Sequence, residues 1–247
     1  MITVCLATYN GARHIAEQLR SILAQLGTDD EVIVSDDGST DPTLDIVRQM
    51  ADTSATPIRI TLNPGEHGYT ANFEHALSQA RGEYVFLSDQ DDVWLPGKVA
   101  TMLHALHDEG YDLCVSNARI TDAELNVTYP DYYAARGVHR GLLGNFVKFG
   151  YLGCCLALTR RQLERSLPFP ADRRYCTHDN WLFVCALAMG RVKILDEALM
   201  LYRRHGNTQT TGAFNAHKPL SFRIRYRLYL AWQLMVRTLN VKLHRPS

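Results

Sequence analysis

Five short apolar runs punctuate the first half of the chain: ITVCLA (2–7), EVIVS (31–35), IRITL (58–62), YVFLS (84–88) and DLCVS (112–116). Each is nearly continuous in hydrophobicity, the pattern of strands buried on both faces. Between them, apolar residues recur at helical spacing over 14–25, 43–51, 69–81 and 98–107, the first stripe being Ile15, Leu19, Ile22 and Leu23. Alternating strands and helices predict an α/β fold with a mostly parallel sheet, helices on both of its faces and right-handed crossovers. The pattern breaks into polar and aromatic residues over 117–141, which predicts a long loop or lid. WLFVCALAMG (181–190) is apolar all round and reads as a buried helix. From Ser221, a natural N-cap, the segment FRIRYRLYLAWQLMVRTLNVKLH places Ile224, Leu228, Ala231, Trp232, Met235 and Leu239 in a sector of roughly 100°. Arg223 and Arg237 fall on its far side and Arg227 beside the stripe. The boundaries implied are a main domain over 1–212, with halves 1–116 and 117–212, and a basic amphipathic helical tail over 213–247.

A chain of 247 residues that is 46% hydrophobic can bury a full core. Its formal charge of zero hides an asymmetry. Nine of the 26 Lys and Arg residues follow Glu197 and no acidic residue does, so 1–197 carry 17 basic side chains against 26 acidic ones. A tail of this sort suits an anionic surface, lipid or nucleic acid, although its stripe equally suits packing on the domain or against a second copy. The six cysteines show no CxxC pair and no zinc spacing. Cys5, Cys114 and Cys185 sit in apolar runs as buried free thiols, which points to a reducing compartment. Met1 leads straight into ITVCLAT without a basic segment, which argues against a signal peptide, and no run of 18 apolar residues exists to span a membrane.

Three polar clusters follow predicted strands: TYNG (8–11), SDDGSTD (35–41) and SDQDD (88–92). In an open parallel sheet that edge is where ligands bind. Some of these residues have ordinary structural uses. Asp41 before Pro42 reads as a helix N-cap, and Gly38, Ser39 and Thr40 as turn residues. Asp36 and Asp37 have no such use. Asp89, Asp91 and Asp92 repel one another; Asp92 could cap the next turn, but capping does not occupy three carboxylates. Oxygen ligands at this spacing suit a hard divalent cation, Mg²⁺ or Mn²⁺, that also bridges phosphates. Neither GxGxxG nor GxxxxGK[ST] is present, against a dinucleotide dehydrogenase or P-loop enzyme.

The TYN turn, the DDGSTD turn and RGEYVFLSDQDDVW together resemble family-2 inverting glycosyltransferases of the GT-A fold, and more closely their bacterial rhamnosyltransferase-like members. ANFEHAL (71–77), GCCLALTRR (153–161), HDNWL (178–182) and YRRHGN (202–207) extend the likeness over about 2–212. It implies a metal-dependent transfer, with Mg²⁺ or Mn²⁺, from a dTDP- or UDP-linked sugar such as rhamnose. The acceptor would be a glycan or lipid-linked chain in surface polysaccharide synthesis. Residues 1–116 then form the nucleotide-sugar half and 117–212 the acceptor half. Tyr9 and Asp37 fall where the family cradles nucleobase and ribose, with Thr8, Asn10 and Asn72 assigned to the same site. Asp91 and Asp89 match the metal motif, Asp89 also lying toward the ribose, and His205 matches a further metal or diphosphate contact. Asp179 matches the catalytic base, although it could equally be the N-cap of the helix after it. Gly153, Cys154, His178 and Trp181 are assigned to the acceptor side. The expected location is cytoplasmic and the expected partners include no nucleic acid; the tail adds peripheral contact with an anionic membrane or dimerisation as its two alternatives. The competing readings are a nucleotidyltransferase and a non-catalytic nucleotide- or glycan-binding scaffold.

Overall fold

The computed structural model describes residues 1–141, 144–145, 149–204 and 219–243. Strand β1 (Ile2–Thr8) is the hub of the sheet. It runs parallel to β2 (Glu31–Asp36) on one side and to β4 (Tyr84–Asp89) on the other, with β3 (Ile58–Leu62) parallel outside β2. Every residue of β1 and β2 is buried, as their continuous apolar runs require. Two of the polar exceptions satisfy each other, Thr3 Oγ1 donating to Glu31 Oε1 at 2.8 Å. Helices α1 (Ile15–Leu23), α2 (Thr43–Thr53), α3 (Tyr69–Ser78) and α4 (Lys98–His107) lie where the helical period predicts them, and Ile15, Leu19 and Ile22 are fully buried.

Beyond β4 the sheet becomes mixed. Strand β8 (Leu156–Thr159) inserts antiparallel between β4 and β6 (Leu113–Thr121), and β9 (Val192–Arg203) runs parallel to β6. The short β5 (Val93–Trp94) closes the order β3-β2-β1-β4-β8-β6-β9-β5, while β7 (Val127–Tyr129) pairs with β6 off that path. The predicted parallel arrangement thus describes the first four strands in space.

The region 117–141 differs from the expected loop. Strand β6 continues to Thr121 because β9 pairs along it, and α5 (Tyr132–Arg136) follows. Asp131 caps α5 by accepting from Ala134 N at 3.0 Å, and Gly137 ends it at φ +62°.

The remaining helices are α6 (Arg160–Ser166), α7 (His178–Met189) and α8 (Leu220–Leu243). Thr177, not Asp179, holds the N-cap position of α7. Helix α8 begins one residue before the expected Ser221 cap and turns its predicted apolar stripe outward. Leu230 and Leu234, outside that stripe, are the residues it buries, and it packs on α6 and α7. Arg237 fastens it there: the guanidinium lies 5.6 Å from the Trp181 ring and donates to the carbonyls of Arg165, Leu167 and Pro168 at the end of α6. All six cysteines are free and buried. The expected boundary at 212/213 lies outside the described residues.

Candidate active site

The carboxyl ends of β1, β2 and β4 carry three loops that are sewn together. The side chain of Gln90, in the loop after β4, accepts from Tyr9 N at 2.8 Å and from Thr8 Oγ1 at 2.5 Å, and donates to Tyr9 O at 3.0 Å. A side chain at Gly11 would collide with it, its Cβ falling 2.2 Å from Gln90 Oε1. Asn10, at φ +49°, accepts from Thr40 N at 2.8 Å and takes Ser39 Oγ on its own N–H. Asn72 donates to Thr8 O and Ser35 O and accepts from Ser35 Oγ. It lines the site, but its amide is spent on the scaffold rather than on a nucleotide.

The two aspartates of the DDGSTD turn divide their work. Asp36, expected to be without a structural use, is buried and closes the turn, accepting from Gly38 N, Ser39 N and Ser39 Oγ. Gly38 sits there at φ +90°, a conformation costly for any other residue. Asp37 faces the cleft with its carboxylate held by Asn63 Nδ2 (2.8 Å) and Gly68 N (2.7 Å), and His67 Nδ1 lies 3.2 Å away. A carboxylate has about four acceptor positions, so Asp37 keeps one for an incoming N–H or hydroxyl.

These loops open on a cleft of about 520 Å³, ordinary for a small-molecule site, lined also by Asp89, Asp91, Leu152, Gly153, His178 and Asp179. Burial, with the Asp91 charge beside it, pushes the Asp89 carboxyl up to about 7. Asp92 is fully buried beneath; burial and then the charges of Asp91 and Asp89 raise it as well. Its Oδ1 accepts from Arg203 N at 3.0 Å, while Oδ2 has no protein partner. Carboxylates raised by burial and then by one another's charge, with the buried Asp92 Oδ2 unpaired, fit a cation. Ligand atoms of Asp89, Asp92 and Cys154 gather within 4.8 Å. The cleft itself, however, is reached by Asp89 and Asp91. The Cys154 thiol, raised by its hydrogen bond with the Cys155 thiol and by burial, is a poor ligand for a hard ion. Asp89 and Asp91, which line the cleft, could hold Mg²⁺ or Mn²⁺ there.

The opposite wall comes from the 3₁₀ turn Gly153–Cys155 and the start of α7. His178 stacks on Phe73 (4.2 Å between centroids), meets the edge of Tyr69 at 5.7 Å, and has neither ring nitrogen bonded to protein. Burial lowers its affinity for protons, outweighing the Asp179 charge, so it is a neutral imidazole. Asp179 lies in the first turn of α7, and its Oδ1 accepts from Asn180 N at 2.7 Å.

Two residues assigned to the acceptor are placed elsewhere. Trp181 is wholly buried and donates Nε1–H to Ser166 O at 2.7 Å, because it faces the core side of α7. Cys154 is buried under the acidic pair rather than in the cleft. His205 lies outside the described residues. Asp131 and Asp172, the other conceivable bases, are used up capping α5 and pairing with Arg174.

Gln90, Tyr69 and Arg203 were not foreseen from the sequence. Arg203 is 4% exposed and ties the acidic loop in place: N to Asp92, Nε to Asp91 O (2.8 Å), Nη1 to Ala123 O and Nη2 to Glu17 Oε2. The motif YRRHGN pointed to its neighbourhood, but nothing local says which arginine turns inward.

The profile of glycosyl transferase family 2 matches residues 3–199. The chain belongs to that family. This glycosyltransferase is 27% identical to the dTDP-rhamnosyl transferase RfbG of Shigella flexneri over 90% of its own length and 77% of that protein's. It is 28% identical to an uncharacterized glycosyltransferase of Nostoc sp., over 87% and 68%. Among solved structures it is similar to S. aureus TarS 1–349 in complex with UDP-GlcNAc, with a TM-score of 0.70 at 18% identity. That match covers 97% of this chain and 66% of the TarS chain. The mannosyltransferase PcManGT of Pyrobaculum calidifontis, in complex with GDP-Man and Mn²⁺, aligns with a TM-score of 0.65 at 19% identity, over 100% and 76%. The fold is GT-A, and the nucleotidyltransferase alternative is set aside.

Proposed function

We propose that this glycosyltransferase moves a sugar, with inversion, from a nucleoside diphosphate sugar to a hydroxyl of a glycan or lipid-linked acceptor in surface polysaccharide synthesis. The observation that carries the reading is one cleft with Asp89 and Asp91 on one wall, Asp179 on another, and the Tyr9 and Asp37 loops beside them. Inversion needs one carboxylate that receives the acceptor proton as the acceptor oxygen bonds the anomeric carbon. The bond from that carbon to the diphosphate breaks on the far side, and the nucleoside diphosphate leaves. Asp179 is that base. It stands in the first turn of α7, on the wall of the cleft. Asp89 and Asp91 would hold a divalent cation, which when bound would supply Lewis-acid stabilisation of the leaving diphosphate. Tyr9, half exposed at the cleft, offers a face to the base, and the remaining acceptor position of Asp37 suits the imide N–H of uracil or thymine. Likeness to the S. flexneri enzyme favours dTDP-rhamnose among such donors.

The test is a thermal-shift panel of dTDP-, UDP- and GDP-sugars with and without Mn²⁺, followed by transfer assays on the donor that stabilises the protein. A shift confined to one pyrimidine donor and enhanced by Mn²⁺ is expected, with an inverted anomeric centre in the product. No stabilisation by any nucleotide sugar would refute the reading, and full activity in metal-free EDTA solution would refute the cation.

A further inference from the structure

We propose that the outward face of α8 is a docking surface for an anionic lipid membrane. The proposal extends the transfer reading to a membrane-borne acceptor and rests on it to that extent, yet docking is measured without turnover, so the two can fail separately.

The face is apolar and, among the described residues, uncovered: Ile224, Leu228, Trp232, Met235 and Leu239 are 47%, 66%, 58%, 50% and 52% exposed. They span about 22 Å of helix at 1.5 Å per residue, much more than a scattered surface leucine. The opposite face is already occupied. Besides Leu230, Leu234 and Arg237, Tyr229 Oη accepts from Asp172 N at 3.0 Å, and Tyr226 Oη accepts from Asn180 Nδ2. The helix is therefore a fixed part of the body, mounted on the helix that begins with His178 and Asp179, and its stripe meets no other element among the described residues.

Charge selects the occupant. Helix α8 contains Arg223, Arg225, Arg227, Arg237 and Lys242 and no acidic residue. At 100° per residue, Arg223 and Arg225 fall about 100° to either side of Ile224, and both are exposed. A second copy seated on the stripe, in either orientation, would bring arginine rims against basic rims with no carboxylate to pair them, which is repulsive along a helix seam. An anionic headgroup layer accepts both rims while its acyl boundary takes the stripe, and Trp232 suits that boundary. Among the described residues no helix is long and apolar enough to cross a membrane, so the geometry is that of a helix lying along the surface.

Flotation of the full chain tests this, using phosphatidylcholine vesicles with or without phosphatidylglycerol at low and high salt. Binding is expected with phosphatidylglycerol at low salt and should weaken with salt or with the neutral vesicle. Leu228→Glu with Trp232→Glu should abolish flotation without lowering Tm, since both residues are exposed. Arg223→Ala with Arg225→Ala should lower partitioning about fivefold per arginine. Failure of the wild-type chain to float with phosphatidylglycerol overturns the proposal, as does flotation indifferent to both variants. A wild-type dimer that becomes monomeric in the Leu228/Trp232 variant and never floats identifies a self-association seam instead, which also overturns it.

Discussion

Gly153→Ala is a one-carbon perturbation whose consequences follow from distances. The added Cβ would lie 2.3 Å from His178 Nε2, 3.1 Å from its Cδ2 and 3.3 Å from Asp179 Cβ. Contacts become ordinary at 3.4 Å, so the walls must part by 1.1 Å, the difference between 3.4 and 2.3. His178 has little room to retreat, because it is buried and stacks at 4.2 Å on Phe73, itself wholly buried. The strain therefore moves the first turn of α7, and Asp179 with it. A displacement of about 1 Å in a reacting group costs on the order of 10²-fold in rate. Overpacking costs about 1–3 kcal/mol, and a domain of this size loses roughly 2–4 °C of Tm per kcal/mol. Transfer should fall about 10²-fold and Tm by several degrees. Nucleotide affinity should hold within about twofold, since Tyr9 and Asp37 stand on other loops. The assays are donor turnover, thermal unfolding and calorimetric titration with the nucleotide. His178→Ala makes room, so Gly153→Ala should cost much less on that background. An alanine variant with wild-type turnover and wild-type Tm would refute the contact and, with it, the account of this wall.

Asp179→Asn keeps shape, and because Thr177 is the cap, Tm should barely change while transfer drops roughly 10²–10⁴-fold; near-wild-type turnover would remove Asp179 from the mechanism. Asp91→Ala should leave the fold and the EDTA-treated background rate intact and abolish stimulation by Mn²⁺, measured as turnover across a metal titration. Burial lowers the proton affinity of His178 and His75 below that of the unfolded chain, about 6.5. The unfolded state then binds more protons, so stability is full above pH about 6.5 and declines as pH falls toward the lowered folded values. His178→Phe keeps the stack and should flatten part of that decline in Tm-against-pH curves; superimposable curves would mean that His178 is not buried as a neutral ring.

The sequence discloses what local periodicity encodes. Runs such as ITVCLA and EVIVS must be buried on both faces, and the carboxylates directly after them therefore stand at the ligand edge. The aspartates at 36 and 37 could not be told apart, because only the backbone direction at the end of β2 sends one into its own turn and the other into the cleft. Strand β9 went unseen: VKILDEALMLYR is interrupted by Asp196 and Glu197, and its pairing partner is about 80 positions away. Gln90 was hidden likewise, since its partners Thr8 and Tyr9 are 82 and 81 residues distant. For α8 the stripe was legible, but which face meets the body depended on Tyr226, Tyr229 and Arg237 finding partners on α7 and the segment before it.

The Gln90 amide makes the loop that offers Tyr9 and the loop that carries Asp89 and Asp91 move as one unit. On the proposed reading, recognition of the base and occupancy of the carboxylates would then be linked equilibria. Whatever factor a pyrimidine nucleoside adds to cation affinity, the cation must add to nucleoside affinity. Selectivity for the base would accordingly be read out in the dependence of donor binding on Mn²⁺ concentration.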